Sequence, residues 1–158
     1  PTFGWIPGMS TVSRLVNGVS PERSAEQKVG IVDRWHAKDM AAAKEDWIEL
    51  VTKYNDLFRG NYCGYWLRGV EHSAEGWLAW EESEHYHFGE EPNYERALAA
   101  WRQGAALPPG WFRLDRAFAE RAWEEGIRYK GEDWYEDGDS TDYDVVMQRT
   151  LLGEVRYS

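Results

Sequence analysis

Between residues 64 and 81 the chain alternates glycine with aromatic and aliphatic side chains, and no other stretch restricts its fold as strongly. Gly64-Tyr65-Trp66-Leu67-Arg68-Gly69-Val70 and Gly76-Trp77-Leu78-Ala79-Trp80-Glu81 each read as a strand. Bulky side chains of this kind fit a pleated, half-buried surface, and residues 71–75 between them read as a turn. The pair predicts a β-hairpin, to which residues 84–88 add a candidate third strand. Tyr62, Tyr65, Trp66, Trp77, Trp80 and Tyr86 cluster on this sheet. The whole chain has ten Trp and nine Tyr, side chains that fill cores and also grip partners. Trp77 and Trp80 stand three residues apart, so a regular strand sends them to opposite faces.

Helical periodicity surrounds the hairpin. Ser20-Pro21 is suited to a helix start, but Gly30 weakens any continuation, so 21–29 reads as a weak helix. Residues 39–58 give the strongest pattern, with Met40, Ala43, Trp47, Val51, Tyr54 and Phe58 on one face, Asp39 as cap and Gly60 just past the end. Asn93 opens a helix with Tyr94, Ala97, Leu98 and Trp101 inward, and Gly104 closes it. Pro108-Pro109-Gly110 then breaks the chain. Asp115 caps a helix that buries Phe118, Ala122, Trp123 and Ile127 and stops at Gly131. Residues 132–142 form an acidic loop. A last helix runs from Thr141 or Asp142 to Leu152, and Gly153 terminates it. The expected fold is α+β: a small antiparallel sheet near 64–88 packed by about four helices. Residues 1–20, rich in Gly, Pro, Ser and Val, read as an extended arm that contacts a neighbouring copy or a partner. Residues 21–158 read as one domain, an ordinary size for a single core.

Charge is divided unevenly. The chain carries 18 basic and 28 acidic side chains, net −10. Residues 71–144 hold 7 of the basic and 19 of the acidic ones, whereas both flanking stretches are near neutral. A field of that sign repels nucleic acid and anionic membranes and attracts basic partners. Cys63 is the single cysteine, so no internal disulfide forms. No run of eighteen apolar residues occurs, and the first residues lack the basic-then-apolar pattern of a secretion signal. Cytoplasm is the expected compartment.

The stretch from Asp142 to Tyr157, Asp-Tyr-Asp-Val-Val-Met-Gln-Arg-Thr-Leu-Leu-Gly-Glu-Val-Arg-Tyr, resembles the tail of small uncharacterised proteins of phages, prophages and bacteria. Those end in an Asp-rich turn, a helix with Gln and Leu, and Phe-Gly-Glu-Val-x-Tyr-Gly. Many carry Gly-Gly-x-x-Tyr-Trp after their first helix, to which Gly60-Asn61-Tyr62-Cys63-Gly64-Tyr65-Trp66 corresponds here. Leu152 stands where Phe is usual and Ser158 where Gly is usual, and residues 1–38 have no counterpart. The resemblance implies a mobile-element origin and assigns no chemistry. By analogy, small acidic proteins of that origin bind and block a host component.

Three constellations remain. His85 and His87 alternate on an extended segment and share a face, so with His72 on the partner strand they are candidate metal ligands. The alternative is a pair of histidines beside acids. Asp133, Asp137, Gly138 and Asp144 partly match a calcium loop, but Tyr135 occupies a ligand place, and the alternative is a solvated loop. Cys63 sits among glycines and aromatics, where a buried small residue is the ordinary reading and a Cys63–His72 pair the sharper one. The candidate binding residues are Tyr65, Trp66, Trp77 and Trp80, ringed by Glu81, Glu82 and Glu84. The function that fits the charge is a non-enzymatic acidic protein occupying a basic surface of a host protein, without nucleic-acid or membrane binding and without a required cofactor. A phage structural or assembly protein, a metal-dependent enzyme at His85 and His87, and a binder of nucleotide-like rings are the alternatives.

Overall fold

The computed structural model describes residues 25–82 and 91–158, with side chains from 38 to 82 and from 94 to 158. The chain divides into two compact units, residues 1–43 and 44–158. Everything from the sheet onward belongs to the second. The arm at 1–20 and the candidate strand at 84–88 lie outside the described residues. The fold is α+β, with helices α1 (Ala25–Thr52), α2 (Glu91–Gln103), α3 (Arg116–Lys130), α4 (Trp134–Asp137) and α5 (Ser140–Leu152) around strands β1 (Leu67–Ser73), β2 (Gly76–Glu81) and β3 (Trp111–Asp115). Among the described residues no helix is long and apolar enough to cross a membrane.

The first helix passes through Gly30 and ends earlier than its periodicity predicts. Asn55 and Asp56 favour turns over helix. A 3-10 turn at Asp56–Phe58 comes next, and Cys63 N–H bonds Leu57 O while Gly64 N–H bonds Arg59 O. Gly64 is required here, because a Cβ would lie 2.2 Å from Phe58 O. Tyr54 thereby leaves the apolar face and is 54 % exposed. Phe58 reaches the sheet instead and meets Trp77 edge-on with ring centroids 5.0 Å apart.

The hairpin forms, but β1 begins at Leu67 rather than Gly64, which leaves Tyr65 and Trp66 in the preceding turn, and it runs on to Ser73 through residues expected in the loop, with a bulge between Gly69 and Glu71. The third strand of the antiparallel sheet is β3, which pairs with β2 so that Trp80 faces Trp111 and Trp77 faces Leu114. Pro109-Gly110 turns the chain into this strand, with Gly110 at φ +83° and its carbonyl accepting from Glu81 N–H. Alternation along β2 sends Leu78 and Trp80 to one face, where Trp111 joins Ala97 and Leu98 of α2 in a buried cluster. The other face carries Trp77 and Ala79.

The helices stop and start where local chemistry requires. Asp115 accepts from Phe118 N–H at the start of α3. Asp139 and Asp142 form a reciprocal capping box at the start of α5, and Gly153 ends that helix in the left-handed conformation at φ +79°. A second aromatic core lies among α1, α3 and α4. Trp134 is fully buried, edge-on to Trp47 at 5.0 Å and 5.4 Å from Trp123. The Trp47 indole N–H donates to Ala119 O at 3.0 Å. Trp134 fits because position 126 has no side chain: a Cβ on Gly126 would sit 2.1 Å from its ring. Gly126→Ala is expected to destabilise the protein by about 2–3 kcal/mol through overpacking, measured as a lower urea midpoint. An unchanged midpoint would show that Trp134 is free to shift.

Candidate functional site

The residues expected to grip a partner do not share one patch. Trp80 stacks on Trp111 (5.5 Å, 24°) on one face of the sheet. Trp77 lies on the other, against Phe58 and His72, with its indole N–H on Tyr54 O. Glu82 pairs with Arg68, and Glu84 lies outside the described residues. Tyr65, Trp66 and Glu81 do converge, but inward. Trp66 and Glu81 are buried, while Tyr65 remains 40 % exposed.

What brings these three together is a polar network between the 59–66 loop, the end of β2, helix α5 and residues 154–158. Asp144 Oδ1 accepts the Trp66 indole N–H at 2.7 Å and Gln148 Nε2 at 3.2 Å. Its Oδ2 accepts the Tyr65 hydroxyl. Gln148, fully buried, also donates to Tyr157 O at 3.0 Å, and its Oε1 accepts the backbone N–H groups of Arg156 and Tyr157, both at 2.8 Å. Both halves of the amide are thus satisfied, as burial requires. The Tyr157 ring lies parallel to Trp66 at 5.6 Å. Its hydroxyl donates to Glu81 Oε2, which Arg156 Nη1 also reaches at 2.7 Å. The segments 60–66 and 142–157 are therefore joined in one network.

This arrangement holds structure and offers little nucleophilic chemistry. Burial, reinforced by the Asp144 carboxylate, pushes the Cys63 thiol up, which disfavours a thiolate. The same two causes push Tyr65 well above the usual tyrosine range. His72 Nε2 lies 2.8 Å from Thr52 O, and no Cys63–His72 bond occurs among the described residues. His85 and His87 lie outside those residues. Among the described ones no group of three or more His, Cys, Asp or Glu is placed to hold a metal. The partial calcium loop is taken apart: residues Trp134–Asp137 are helical, Asp139 caps α5, and Asp144 is buried in the network. Burial pushes the Asp142 carboxyl up, but Lys130, the Asp139 N–H and the Tyr129 hydroxyl outweigh it and hold the group below its ordinary value.

Two surfaces remain. A groove of about 430 Å³ lies between the end of α1, the hairpin turn and the start of α3. Its cations, Lys53 and Arg116, are paired with Glu49 and Glu45. The other surface is a tyrosine cluster at the acidic end. Tyr62 stacks on Tyr143 (6.1 Å, 9°), Tyr143 lies 5.2 Å from Tyr135, and all three are half-buried. The Tyr143 hydroxyl donates to Tyr135 O at 2.8 Å. Asp46 and Asp139 are exposed and act on Tyr135 and Tyr143 respectively, and Asp133 and Asp137, two residues either side of Tyr135, are exposed as well. Among the described residues, Asp46, Asp133 and Asp137 enter no ion pair. Burial, then Tyr143 and Asp46, push Tyr135 well above its ordinary range. Sequence reasoning singled out the acidic loop but not Tyr62 as its partner, because that residue comes from a distant position in the chain.

The chain matches no protein-family model, no curated protein and no solved structure.

Tyr143 gives the cluster a pH signature. Burial, then the neighbouring Tyr62, Asp142 and Asp139, push its hydroxyl from 10.0 up to about 12. The unfolded chain ionises this tyrosine first, so its contribution is intact below pH 10 and is lost as pH rises from 10 to about 12. Urea midpoints measured across that window are expected to fall less steeply for Tyr143→Phe than for the wild type. Parallel curves would mean that Tyr143 titrates normally.

Proposed function

We propose that this protein is a non-enzymatic binding protein of phage or mobile-element type, whose acidic, tyrosine-bearing end occupies a basic surface of a host protein. The observation that supports this reading is the set of exposed carboxylates without ion-pair partners among the described residues, Asp46, Asp133 and Asp137, together with the half-buried rings of Tyr62, Tyr135 and Tyr143. Carboxylates left unneutralised attract Lys and Arg, and tyrosine faces add apolar area and cation–π attraction at low entropy cost. The rings are held by a buried Trp cluster, so they meet a partner already ordered, which lowers the cost of association. The same charge keeps nucleic acid away.

A nine-residue oligo-arginine peptide is a direct probe. Asp133→Asn together with Asp137→Asn is expected to weaken its binding about tenfold and to flatten the salt dependence. Tyr135→Ala is expected to weaken binding without changing the salt slope. A control with the same loss of charge, Glu95→Gln with Glu124→Gln on α2 and α3, is expected to change affinity less than about twofold. Equal losses for both carboxylate pairs would reduce the site to a general field and overturn the reading.

A further inference from the structure

The network around Gln148 has the composition of a ligand site, and its occupant is a basic, aromatic segment of the same chain. We propose that Tyr65, Trp66, Glu81 and Gln148 form a recognition site for an extended peptide carrying Arg followed by Tyr, which Arg156 and Tyr157 occupy in cis and which a partner's Arg-Tyr segment takes in trans. This site is separate from the acidic end, and its test does not depend on that reading.

Three features carry the argument. Gln148 reads backbone alone: its amide satisfies two consecutive N–H groups and one carbonyl of residues 156–157, as the edge of a sheet does for an added strand. Trp66 and Glu81 read side chains. The indole face takes the tyrosine ring, and one buried carboxylate takes both the tyrosine hydroxyl and the guanidinium. A phenylalanine leaves that carboxylate short of a donor, which is costly in a buried site. Finally, the Tyr157 ring is buried, but the residues on either side of it are exposed. Gly153 ends the helix, and Glu154, Val155 and Ser158 are exposed, Val155 by 51 %. The Tyr157 ring, the Gln148 amide and the Glu81 carboxylate anchor the segment, and no helix has to unwind for it to leave. Once it leaves, the Glu81 carboxylate and the Gln148 amide stand ready for the same groups on another chain.

A tethered occupant competes at an effective concentration of about millimolar, so the intact site presents a weakened apparent affinity. A fluorescent Glu-Val-Arg-Tyr-Ser peptide titrated into the full chain is expected to bind Tyr157→Ala at least about tenfold more tightly than the wild type. The shuffled peptide Glu-Val-Tyr-Arg-Ser is expected to bind neither. A Tyr157→Ala protein that still unfolds cooperatively yet binds the peptide no better than wild type would overturn the proposal, as would equal binding of the shuffled peptide. Amide exchange on the wild type tests the same point without a variant. The Arg156 and Tyr157 amides, held by Gln148, are expected to exchange at least about 100-fold faster than those of Val146 and Met147, through local opening. Equal rates would mean that the segment leaves only on global unfolding, and the site would then be closed to ligands.

Discussion

The buried carboxylate of Asp144 is the constraint on which the rest of residues 44–158 depends. It accepts from Tyr65, Trp66 and Gln148, and no ion pair neutralises it among the described residues. Removing a carboxylate from water costs several kcal/mol. Here three hydrogen bonds to an ionised acceptor, each stronger than a neutral pair, offset that cost. The geometry they impose is far-reaching. The Trp66 indole must point at α5, which fixes the loop before β1. Gln148, one turn after Asp144, must turn its amide toward residues 156–157. The chain after Gly153 therefore folds back over Trp66 instead of entering solvent.

The second constraint is steric. Trp134 fits beside α3 only because residue 126 is glycine, and its ring seats Trp47, Tyr135 and Tyr143 around it. Four residues of helix α4 thus hold the acidic stretch in place. The carboxylates of this stretch have divided roles. Asp139 and Asp142 close the start of α5, and Asp142 also engages Lys130 at 2.8 Å. Asp133 and Asp137 face outward with no ion pair among the described residues. A loop that reads as uniformly acidic is therefore part scaffold and part surface.

Much of the architecture was legible in the residues. The hairpin followed from glycines flanking aromatic runs, and the ends of α3 and α5 followed from Asp115, Gly131 and Gly153. The inward face of α2 followed from Tyr94, Ala97, Leu98 and Trp101. The early end of α1 was hidden because Tyr54 and Phe58 continue the helical spacing, while the local preferences of Asn55 and Asp56 prevail. Strand β3 was hidden because five residues between a Pro-Gly turn and a helix cap carry too short a pattern, and only pairing with β2 makes them extended. The layout around the expected binding residues was not legible. Tyr65, Trp66 and Glu81, expected on a surface that grips a partner, instead meet Arg156 and Tyr157 of the same chain, with Trp66 and Glu81 buried. Glu81 reads as a surface acid because burial of a carboxylate depends on a partner, and Arg156 stands 75 positions away. Asp144 and Gln148 read as the polar side of a helix for the same reason.

The measurement that tests this account most directly is the unfolding free energy of Asp144→Ala in urea. Loss of that carboxylate leaves the Trp66 N–H, the Tyr65 hydroxyl and part of the Gln148 amide without their acceptor. The expected cost is at least about 3 kcal/mol, with faster exchange of the Tyr157 amide as Gln148 loses its orientation. A change within about 0.5 kcal/mol, the range of an ordinary surface substitution, would contradict the claim that one buried carboxylate orders the loop, the helix and the segment beyond it.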